Sequence, residues 1–419
     1  INKPEPLAKC VMEINGRVDQ EGKDFEERDE SEVRAKLRSA RDMGIQSVAI
    51  LQMHAYQDSE WEKRLGDLAR EEGFESISLS HEVAPELGFL SRGETTVADA
   101  YLSPLLQTHI RAFQATFPNA DLKMMQSSGG LASAEKFSGP SALLSGPAGG
   151  VVGTSFVAKQ ANQTKAIGFD MGGTSTDVSL VIDGTGERVF ESVVAGIRVR
   201  SPMLDIHTVA AGGGSLCRFD GEKLTVGPES AGANPGPLCY GQVGQNGETM
   251  GSEIALTDMN FWLDRVPEDR LPVSLTREPV EAALGKIKER LSRANFEMSF
   301  DEIAAGFIEI ANANMAQAIQ EVSVQKGVDP RDFALVGFGG AGGQHVCAVA
   351  RLLGIQKILL HPYAGLLSAF GIGVSDFTWD QQKDAGRALL TETGRAPHEV
   401  KEILEALEKA GVEELEDEL

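Results

Sequence analysis

An acid, paired glycines and alternating threonines occur together in the segment DMGGTSTDVSLVIDG, residues 170–184. Asp170 follows a short apolar run and is a candidate to hold a hydrated Mg²⁺ or orient a water, and Asp177 is a second acid nearby. Glycines let backbone N–H groups approach a ligand, and threonine hydroxyls add donors beside them. The pattern predicts a cradle for phosphate oxygens and a metal ion, although a bare hairpin would also use glycine for its geometry. The residues assigned to the cradle are Gly172, Gly173, Thr174 and Thr176.

A second glycine cluster lies in LVGFGGAGGQHVCAVARLLG, residues 335–354. A buried strand runs into glycines that precede a helix, and such a turn lets a flat base or a phosphate lie against the backbone at a helix N-terminus. The spacing is neither the Rossmann GxGxxG nor the P-loop GxxxxGK[ST]. Tight packing of the strand against the helix would use the same glycines, so both interpretations stay open here. The candidate nucleotide-binding glycines are Gly339, Gly340, Gly342 and Gly343.

The run DIHTVAAGGGS, residues 205–215, combines an acid, a histidine, three glycines and a serine. Asp205 is a candidate catalytic acid beside Asp170 and Asp177. His207 by itself is more often a core or surface histidine than a catalytic residue. The glycines form another loop suited to an anion. They are Gly212, Gly213 and Gly214.

Composition excludes several classes of partner. The chain has 419 residues, and at roughly 100–200 residues per domain this predicts two to three domains. Its formal charge of −23 argues against a nucleic-acid binder and against docking on anionic membrane, because both need a basic surface. No apolar run is long enough to span a membrane. The four cysteines are far apart, which is typical of reduced thiols in a cytoplasmic protein.

The two ends of the sequence resemble cuts within a longer polypeptide. The chain starts with INKPEPLAKC, which has neither an initiator methionine nor the charged-then-apolar pattern of a signal peptide. It stops in the acidic run VEELEDEL. We therefore expect truncation at both ends.

The surrounding elements must position these loops. Alternating helical and strand patterns in the first part of the chain predict α/β units with parallel strands. From residue 166 the pattern changes to strand, glycine loop, strand, Asp-Gly turn and a third strand, ERVFESVV. Ser299 and Glu302 form a capping box ahead of a long helix. The segments SALLSGPAGGVVGTSFVAK and AGLLSAFGIGV predict small-residue helices that another element approaches closely.

These motifs converge on a family. GFDMGGTSTDVSLV resembles the phosphate loop of the actin, sugar-kinase and Hsp70 superfamily of ATPases, and the second glycine cluster is similar to its adenosine motif. The two small-residue segments resemble the helices that cross between its lobes. Over roughly residues 1–376, the sequence resembles the hydantoinase A and 5-oxoprolinase family, and it is most similar to the ATP-dependent 5-oxoprolinase type. The motifs that carry this are LLSGPAGGVVG, DMGGTSTDVS, DIHTVAAGGGS, VGPESAGANPGPLCYG and GFGGAGGQHVCAVARLLG.

The resemblance implies an α/β, actin-like (ribonuclease H-like) ATPase fold with two lobes around a nucleotide cleft. We expect residues 1–150 to be the remainder of the first lobe, without the first phosphate loop that the family carries near its N-terminus. Residues 151–376 would form the second lobe, with the phosphate loop and the adenosine motif. Residues 377–419 would be a truncated helical extension, and the family's hydantoinase B region is absent.

The resemblance also implies ATP-dependent ring opening of a cyclic amide, with 5-oxoproline, which yields glutamate, ADP and phosphate, as first candidate. ATP would phosphorylate the amide oxygen, and water would then open the activated ring. Implied cofactors are ATP and Mg²⁺, with K⁺ as a further candidate and Asp170 as the metal ligand. The phosphate loop would hold phosphates and metal-bound water, and the second glycine cluster would lie against the adenosine. Asp205 and the Gly212–Gly214 loop would belong to the site between the lobes.

Expected partners are the cyclic amide, ATP and a hydantoinase B-type region or subunit, with a homo-oligomer for the full-length form. The chain by itself need not turn over. Two other enzymatic functions remain as alternatives for this chain. They are the ATP-using subunit of an acetone- or acetophenone-type carboxylase, and an N-methylhydantoin hydrolase. An actin-like nucleotide switch is the non-enzyme alternative. It predicts ATP-dependent polymerisation without lactam-stimulated hydrolysis.

Overall fold

The computed structural model describes residues 6–17, 19, 23, 27–242, 253–266, 274–383 and 398–418. Helices and strands alternate through much of this part of the chain. The chain forms two compact units. Unit 1 comprises Ile1–Ala148, Arg188–Leu204 and Ser375–Leu419, and unit 2 comprises Gly149–Glu187 and Asp205–Val374. The predicted lobe boundaries stay a prediction, and the candidate site residues all belong to unit 2.

The elements are numbered in chain order. The helices are α1 (Glu30–Asp42), α2 (Glu60–Glu71), α3 (Ser80–Val83), α4 (Phe89–Thr116), α5 (Gly139–Ala142), α6 (Ser145–Gln160), α7 (Leu256–Trp262), α8 (Glu278–Arg293), α9 (Phe300–Gln325), α10 (Gly342–Leu353), α11 (Leu367–Gly373) and α12 (His398–Glu418). The strands are β1 (Ser47–Ile50), β2 (Ser76–Leu79), β3 (Lys123–Met125), β4 (Leu131–Ser133), β5 (Lys165–Met171), β6 (Thr176–Ile182), β7 (Thr185–Gly186), β8 (Arg188–Val189), β9 (Ser192–Val194), β10 (Ile197–Val199), β11 (Met203–Leu204), β12 (Ile206–Val209), β13 (Ser215–Phe219), β14 (Leu224–Ser230), β15 (Ala334–Phe338) and β16 (Lys357–Leu359).

Unit 2 is built on a mixed sheet in the order β12-β6-β5-β15-β16, with β7 paired to β6. β15 lies parallel to β5 and β16, whereas β6 is antiparallel to β5 and β12. The central strands β5 and β15 are near-continuous apolar runs because both sheet faces are covered. The predicted capping box is present, since Ser299 and Glu302 hydrogen-bond to each other's backbone N–H at the start of α9.

The hairpin that joins β6 to β7 turns at Asp183 and Gly184, which both have positive φ, 51° and 78°. This is the backbone that a tight Asp-Gly hairpin requires. The predicted third strand of this meander is wrong in extent. Only Thr185–Gly186 pairs with β6, whereas Arg188–Val189 pairs with Met203–Leu204 in unit 1. Alternating apolar residues fix which face of a strand is buried, but they do not fix its partner.

In unit 1, β1 and β2 run parallel, with Ile50 opposite Leu79. Next to their carboxyl ends lies a buried polar network. The Glu62 carboxylate accepts a hydrogen bond from Ser80 Oγ at 2.6 Å, and Arg92 Nε donates to the same hydroxyl at 3.0 Å. Since both charged side chains are fully buried, this network anchors α4 to the strands through satisfied polar groups. No helix among the described segments is long and apolar enough to cross a membrane.

The small-residue helices α6 and α11 cross at backbone contact. A Cβ built on Gly371 would lie 1.9 Å from the carbonyl oxygen of Gly149, and one built on Gly149 would lie 2.5 Å from the carbonyl oxygen of Ser368. Only glycine permits this approach. The crossing fixes Ser368 beside β5, where its hydroxyl donates to Asp170 Oδ2 at 3.3 Å.

We expect Gly371→Ala to lower the free energy of unfolding by about 1–3 kcal/mol, because the new methyl group overlaps the α6 backbone. Gly373→Ala is the matched control on the same helix, since a Cβ there meets nothing within 4 Å. Urea unfolding followed by circular dichroism measures both variants. Equal stability of the two would contradict the backbone contact.

Candidate functional site

Two aspartates lie directly opposite each other at one end of the unit 2 sheet. The register of β5 and β6 pairs Asp170 with Asp177, and the register of β6 and β12 pairs Asp177 with Thr208. Residues opposite each other in antiparallel strands project from the same face, so the carboxylates are neighbours. Asp177 Oδ1 accepts from Thr208 Oγ1 at 2.6 Å. The structure therefore brings together the two acids that the sequence placed seven residues apart.

Electrostatics in this pair disfavour the ionised carboxyls. Burial, and then the charge of Asp177, raise the pKa of Asp170 to about 6, against a small lowering by the Ser368 hydrogen bond. Burial likewise raises the pKa of Asp177, with Thr208 opposing the shift. Two adjacent, partly buried carboxylates repel each other, and a cation would relieve that repulsion.

The glycine turn between β5 and β6 is closed by a hydrogen bond from Gly172 N to Ser175 O at 2.9 Å. Gly173 and Thr174 are exposed at its tip, and a Cβ on Gly173 would meet nothing within 4 Å. Thr176 is fully buried, and its hydroxyl donates to Ala211 O at 2.5 Å. Of the predicted cradle, Gly173 and Thr174 therefore face open space, whereas Thr176 anchors the loop behind the turn.

The loop Gly212–Gly214 packs against the glycine turn between β5 and β6. Gly213 N donates to Gly172 O at 3.0 Å, and Gly214 N donates to Gly173 O at 2.6 Å. A Cβ on Gly212 would lie 2.6 Å from the carbonyl carbon of Thr174. These amides thus support the turn from behind, and their predicted contact with a nucleotide stays a prediction.

The second glycine cluster joins the same place from β15. Gly339 has φ +83°, and a Cβ there would lie 2.4 Å from Asp170 Oδ1. Ala341 N donates to Met171 O at 2.9 Å, which ties this turn to the end of β5. Gly340 and Gly343 have open space where a Cβ would lie, and Gly343 belongs to the first turn of α10, whose N–H groups have no partner within the helix. Gly342, by contrast, is buried against β5.

Asp205 lies apart from the acid pair. It precedes β12 by one residue and is three residues from Thr208, which corresponds to roughly 10 Å along a strand. Its carboxylate pairs with Lys326 Nζ at 2.5 Å, and Lys326 also pairs with Glu187 at 2.9 Å. The structure gives Asp205 an ion-pair partner, and its predicted catalytic role stays a prediction.

Several residues that build the site were not predicted from the sequence. Thr257, in the first turn of α7, donates from both N and Oγ1 to Gly213 O at 2.7 and 2.8 Å. The buried Asp258 accepts from Ala255 N and Cys239 N, both at 2.7 Å. The Thr-Asp pair has the residue types of a helix N-terminus, which was the signal available. Ser368 and Thr208 gave no local signal, because only the fold brings them to the acids.

The residues present fit a nucleotide phosphate with a divalent cation. Mg²⁺ is usually held by one or two carboxylates together with substrate phosphates, and Asp170 and Asp177 supply such a pair. Gly173, Gly340 and Gly343 leave room for a ligand against the backbone. Within the described segments, no group of three or more His, Cys, Asp or Glu side chains converges as a metal site.

The chain matches the Hydantoinase/oxoprolinase family model over residues 92–381, and the Hydantoinase/oxoprolinase N-terminal region over residues 1–73. It is 42% identical to the 5-oxoprolinase of Saccharomyces cerevisiae over 368 residues, covering 85% of this chain and 28% of the yeast protein. The chain therefore spans little more than a quarter of that relative's length. These matches confirm the resemblance drawn from the motifs.

Two solved structures share the fold. The ATP-dependent caprolactamase of Pseudomonas jessenii is 32% identical with a TM-score of 0.78, covering 96% of this chain and 58% of that one. Nucleotide-free acetone carboxylase is 24% identical with a TM-score of 0.73, covering 87% of this chain and 52% of that one. The second likeness concerns the fold alone. Together they confirm the expected α/β fold.

Because the pKa of Asp170 is raised, we expect Asp170→Asn to increase the free energy of unfolding by an amount that depends on pH. Because the folded-state pKa is about 6 and the ordinary value is 3.8, the native state binds more protons between these values, and stability falls as pH rises through this window. At pH 8 the asparagine variant should be more stable than wild type by roughly 2 kcal/mol, and at pH 4 nearly equal.

Urea unfolding at both pH values, without divalent cations or nucleotide, measures this difference. Asp183→Asn is the matched control, since Asp183 is exposed in the hairpin turn and asparagine tolerates its positive φ. A gain for Asp170→Asn of the same size at pH 4 and pH 8 would contradict the electrostatic origin.

Proposed function

Because the chain belongs to the hydantoinase/oxoprolinase family, we propose that it is the ATP-using portion of an ATP-dependent cyclic amide hydrolase. The observation that carries the proposal is the Asp170–Asp177 pair, partly buried at the sheet end between two open glycine turns. This arrangement offers carboxylates to a cation and backbone N–H groups to phosphates within one compact unit.

The proposed substrate is 5-oxoproline. The support is the 42% identity to a yeast 5-oxoprolinase, and the 32% identity to a caprolactamase supports the wider cyclic amide class. Because the chain spans 28% of the yeast protein, the complete reaction belongs to a longer polypeptide or a complex. The hydantoinase B-type region, a homo-oligomeric full-length form, K⁺ and a cytoplasmic location stay predictions.

The chemistry balances as three steps. The amide oxygen of the lactam attacks the γ-phosphorus of ATP, the bond to the β-γ bridging oxygen breaks, and ADP leaves. Water then attacks the activated ring carbon and the ring C–N bond breaks, so that the nitrogen takes up a proton and an acyl phosphate remains. A second water attacks this acyl phosphate, its bond to phosphate breaks, and glutamate and phosphate are released. Phosphorylation turns a poor leaving oxygen into a good one, which is why a stable five-membered lactam requires ATP.

Residues of this chain would hold and orient the phosphates. The tip of the turn, Gly173 and Thr174, faces open space where phosphate oxygens would lie, and Gly212–Gly214 keeps that turn in place from behind. Asp170 and Asp177 would bind Mg²⁺, which neutralises phosphate charge during phosphoryl transfer. An ionised Asp170 requires a pH above about 6, or the bound cation, because burial beside Asp177 otherwise favours its protonated form.

For the full-length protein that contains this chain, we expect ATP hydrolysis to be stimulated by 5-oxoproline, with one glutamate formed per phosphate. Asp170→Asn should lower the stimulated rate by roughly 10²–10⁴-fold, because a positioned carboxylate is lost. Asp183→Asn, outside the site, should retain it. The measurement couples phosphate release to glutamate detection in the presence of Mg²⁺.

The negative outcomes separate the alternatives. Without stimulation by 5-oxoproline, that substrate is excluded, and hydantoins and then ketones with bicarbonate are the next substrates to test. Full activity of the Asp170→Asn variant would overturn the site assignment whatever the substrate. ATP-dependent polymerisation with no stimulation by any of these compounds would favour a nucleotide switch.

A further inference from the structure

A buried polar chain of three side chains lies directly behind the second glycine turn. Asn260 belongs to α7, Asn312 to α9 and His345 to α10, and they are 0, 5 and 0% exposed. His345 is the fourth residue of α10, two residues after Gly343. Three helices thus meet through one imidazole at the point where the glycine turn becomes a helix.

The contacts define the protonation of the imidazole. His345 Nδ1 lies 2.7 Å from Asn312 Oδ1, and its Nε2 lies 3.0 Å from Asn260 Nδ2. An amide oxygen accepts and an amide nitrogen donates, so Nδ1 carries the proton and Nε2 accepts. Asn260 Nδ2 also donates to Leu256 O at 3.4 Å, while Asn260 Oδ1 has no partner. Rotating the Asn260 amide by 180° would remove its hydrogen bonds to His345 Nε2 and Leu256 O. These two hydrogen bonds therefore fix the orientation of the amide.

The same geometry excludes the imidazolium. A second proton on Nε2 would point at the N–H of Asn260, so two donors would face each other in a site closed to water. Burial, reinforced by the charge of Arg265, lowers the pKa of His345 to about 4. His345 is therefore neutral and held as a single tautomer at physiological pH.

Helix α7 connects this chain to the phosphate turn. At its first turn, Thr257 holds Gly213 O with two hydrogen bonds, and Gly213 N in turn holds Gly172 O. One turn further along the same short helix, Asn260 holds His345. A continuous set of hydrogen bonds thus runs from Gly172 through α7 to the start of α10.

We propose that His345 is a positioning residue that holds the Gly339–Gly343 turn at a fixed place relative to the Gly172–Thr174 turn through Asn260 and Asn312. This inference rests on the proposed function, because it assigns the second glycine turn to the nucleoside and the first to the phosphates. Loss of the imidazole should displace the nucleoside turn and leave the phosphate turn in place, since Gly172 and Gly173 keep their own bonds to the 213–214 backbone.

The test compares two ligands on the full chain by calorimetry, Mg·ADP and Mg·tripolyphosphate, where the second lacks a nucleoside. His345→Leu keeps the side-chain volume and removes both hydrogen bonds. It should weaken Mg·ADP binding about tenfold, or about 1.4 kcal/mol, and change tripolyphosphate binding less than twofold. Cys347→Ser, on the exposed side of the same helix, is the matched control and should leave both affinities unchanged.

Equal losses for the two ligands, or no loss for either, would overturn the inference while leaving the proposed function in place. Failure of wild type to bind either ligand would overturn the proposed function and this inference together.

A second measurement needs no variant. The ¹⁵N spectrum of the His345 ring should show the neutral form protonated on Nδ1 at pH 7, and an Nε2-protonated form or an imidazolium would contradict the proposal even if the leucine variant does not fold.

Discussion

The apposition of Asp170 and Asp177 across β5 and β6 is the constraint on which the unit 2 site depends. Two partly buried carboxylates on neighbouring strands repel each other and resist ionisation, so the fold accepts an electrostatic cost at this place. The hydroxyls of Ser368 and Thr208 offset only part of it. Such a cost is typical of functional sites, because stability is lost where a ligand or ion supplies the missing charge.

Glycine does two different things around this pair. At Gly212, Gly339 and Gly371 a side chain would collide with backbone or with Asp170. Glycine at these positions therefore lets neighbouring segments of the backbone approach closely. At Gly173, Gly340 and Gly343 nothing lies where a side chain would be, so the backbone is open to a ligand. The closely packed glycines hold the segments that carry the open glycines in place. The helix crossing of α6 and α11 involves one of these closely packed glycines, and it brings Ser368 to the acid pair.

Local patterns predicted the β5–β6 hairpin, the capped α9, the small-residue helices and the glycine turns, because each depends on residues close in sequence. Three features could not be predicted in this way. The third strand found another partner in unit 1, since alternation does not select a partner. Thr176 and Asp205 matched a motif by type, yet their side chains bond to Ala211 O and Lys326. The links made by Thr257 and His345 join segments distant in sequence, and no local periodicity encodes them.

We propose that the two open glycine turns and the acid pair bind Mg·ATP together in unit 2, with the Gly212–Gly214 loop supporting the first turn from behind. Amide hydrogen exchange of this chain, with and without Mg·ATP, measures whether these segments bind the same ligand. We expect peptides containing residues 170–176 and 339–345 to become protected together, and we expect this protection to require Mg²⁺ and to disappear in Asp170→Asn. Protection confined to one of these segments, or unchanged in the asparagine variant, would show that the two turns and the acid pair do not bind one ligand.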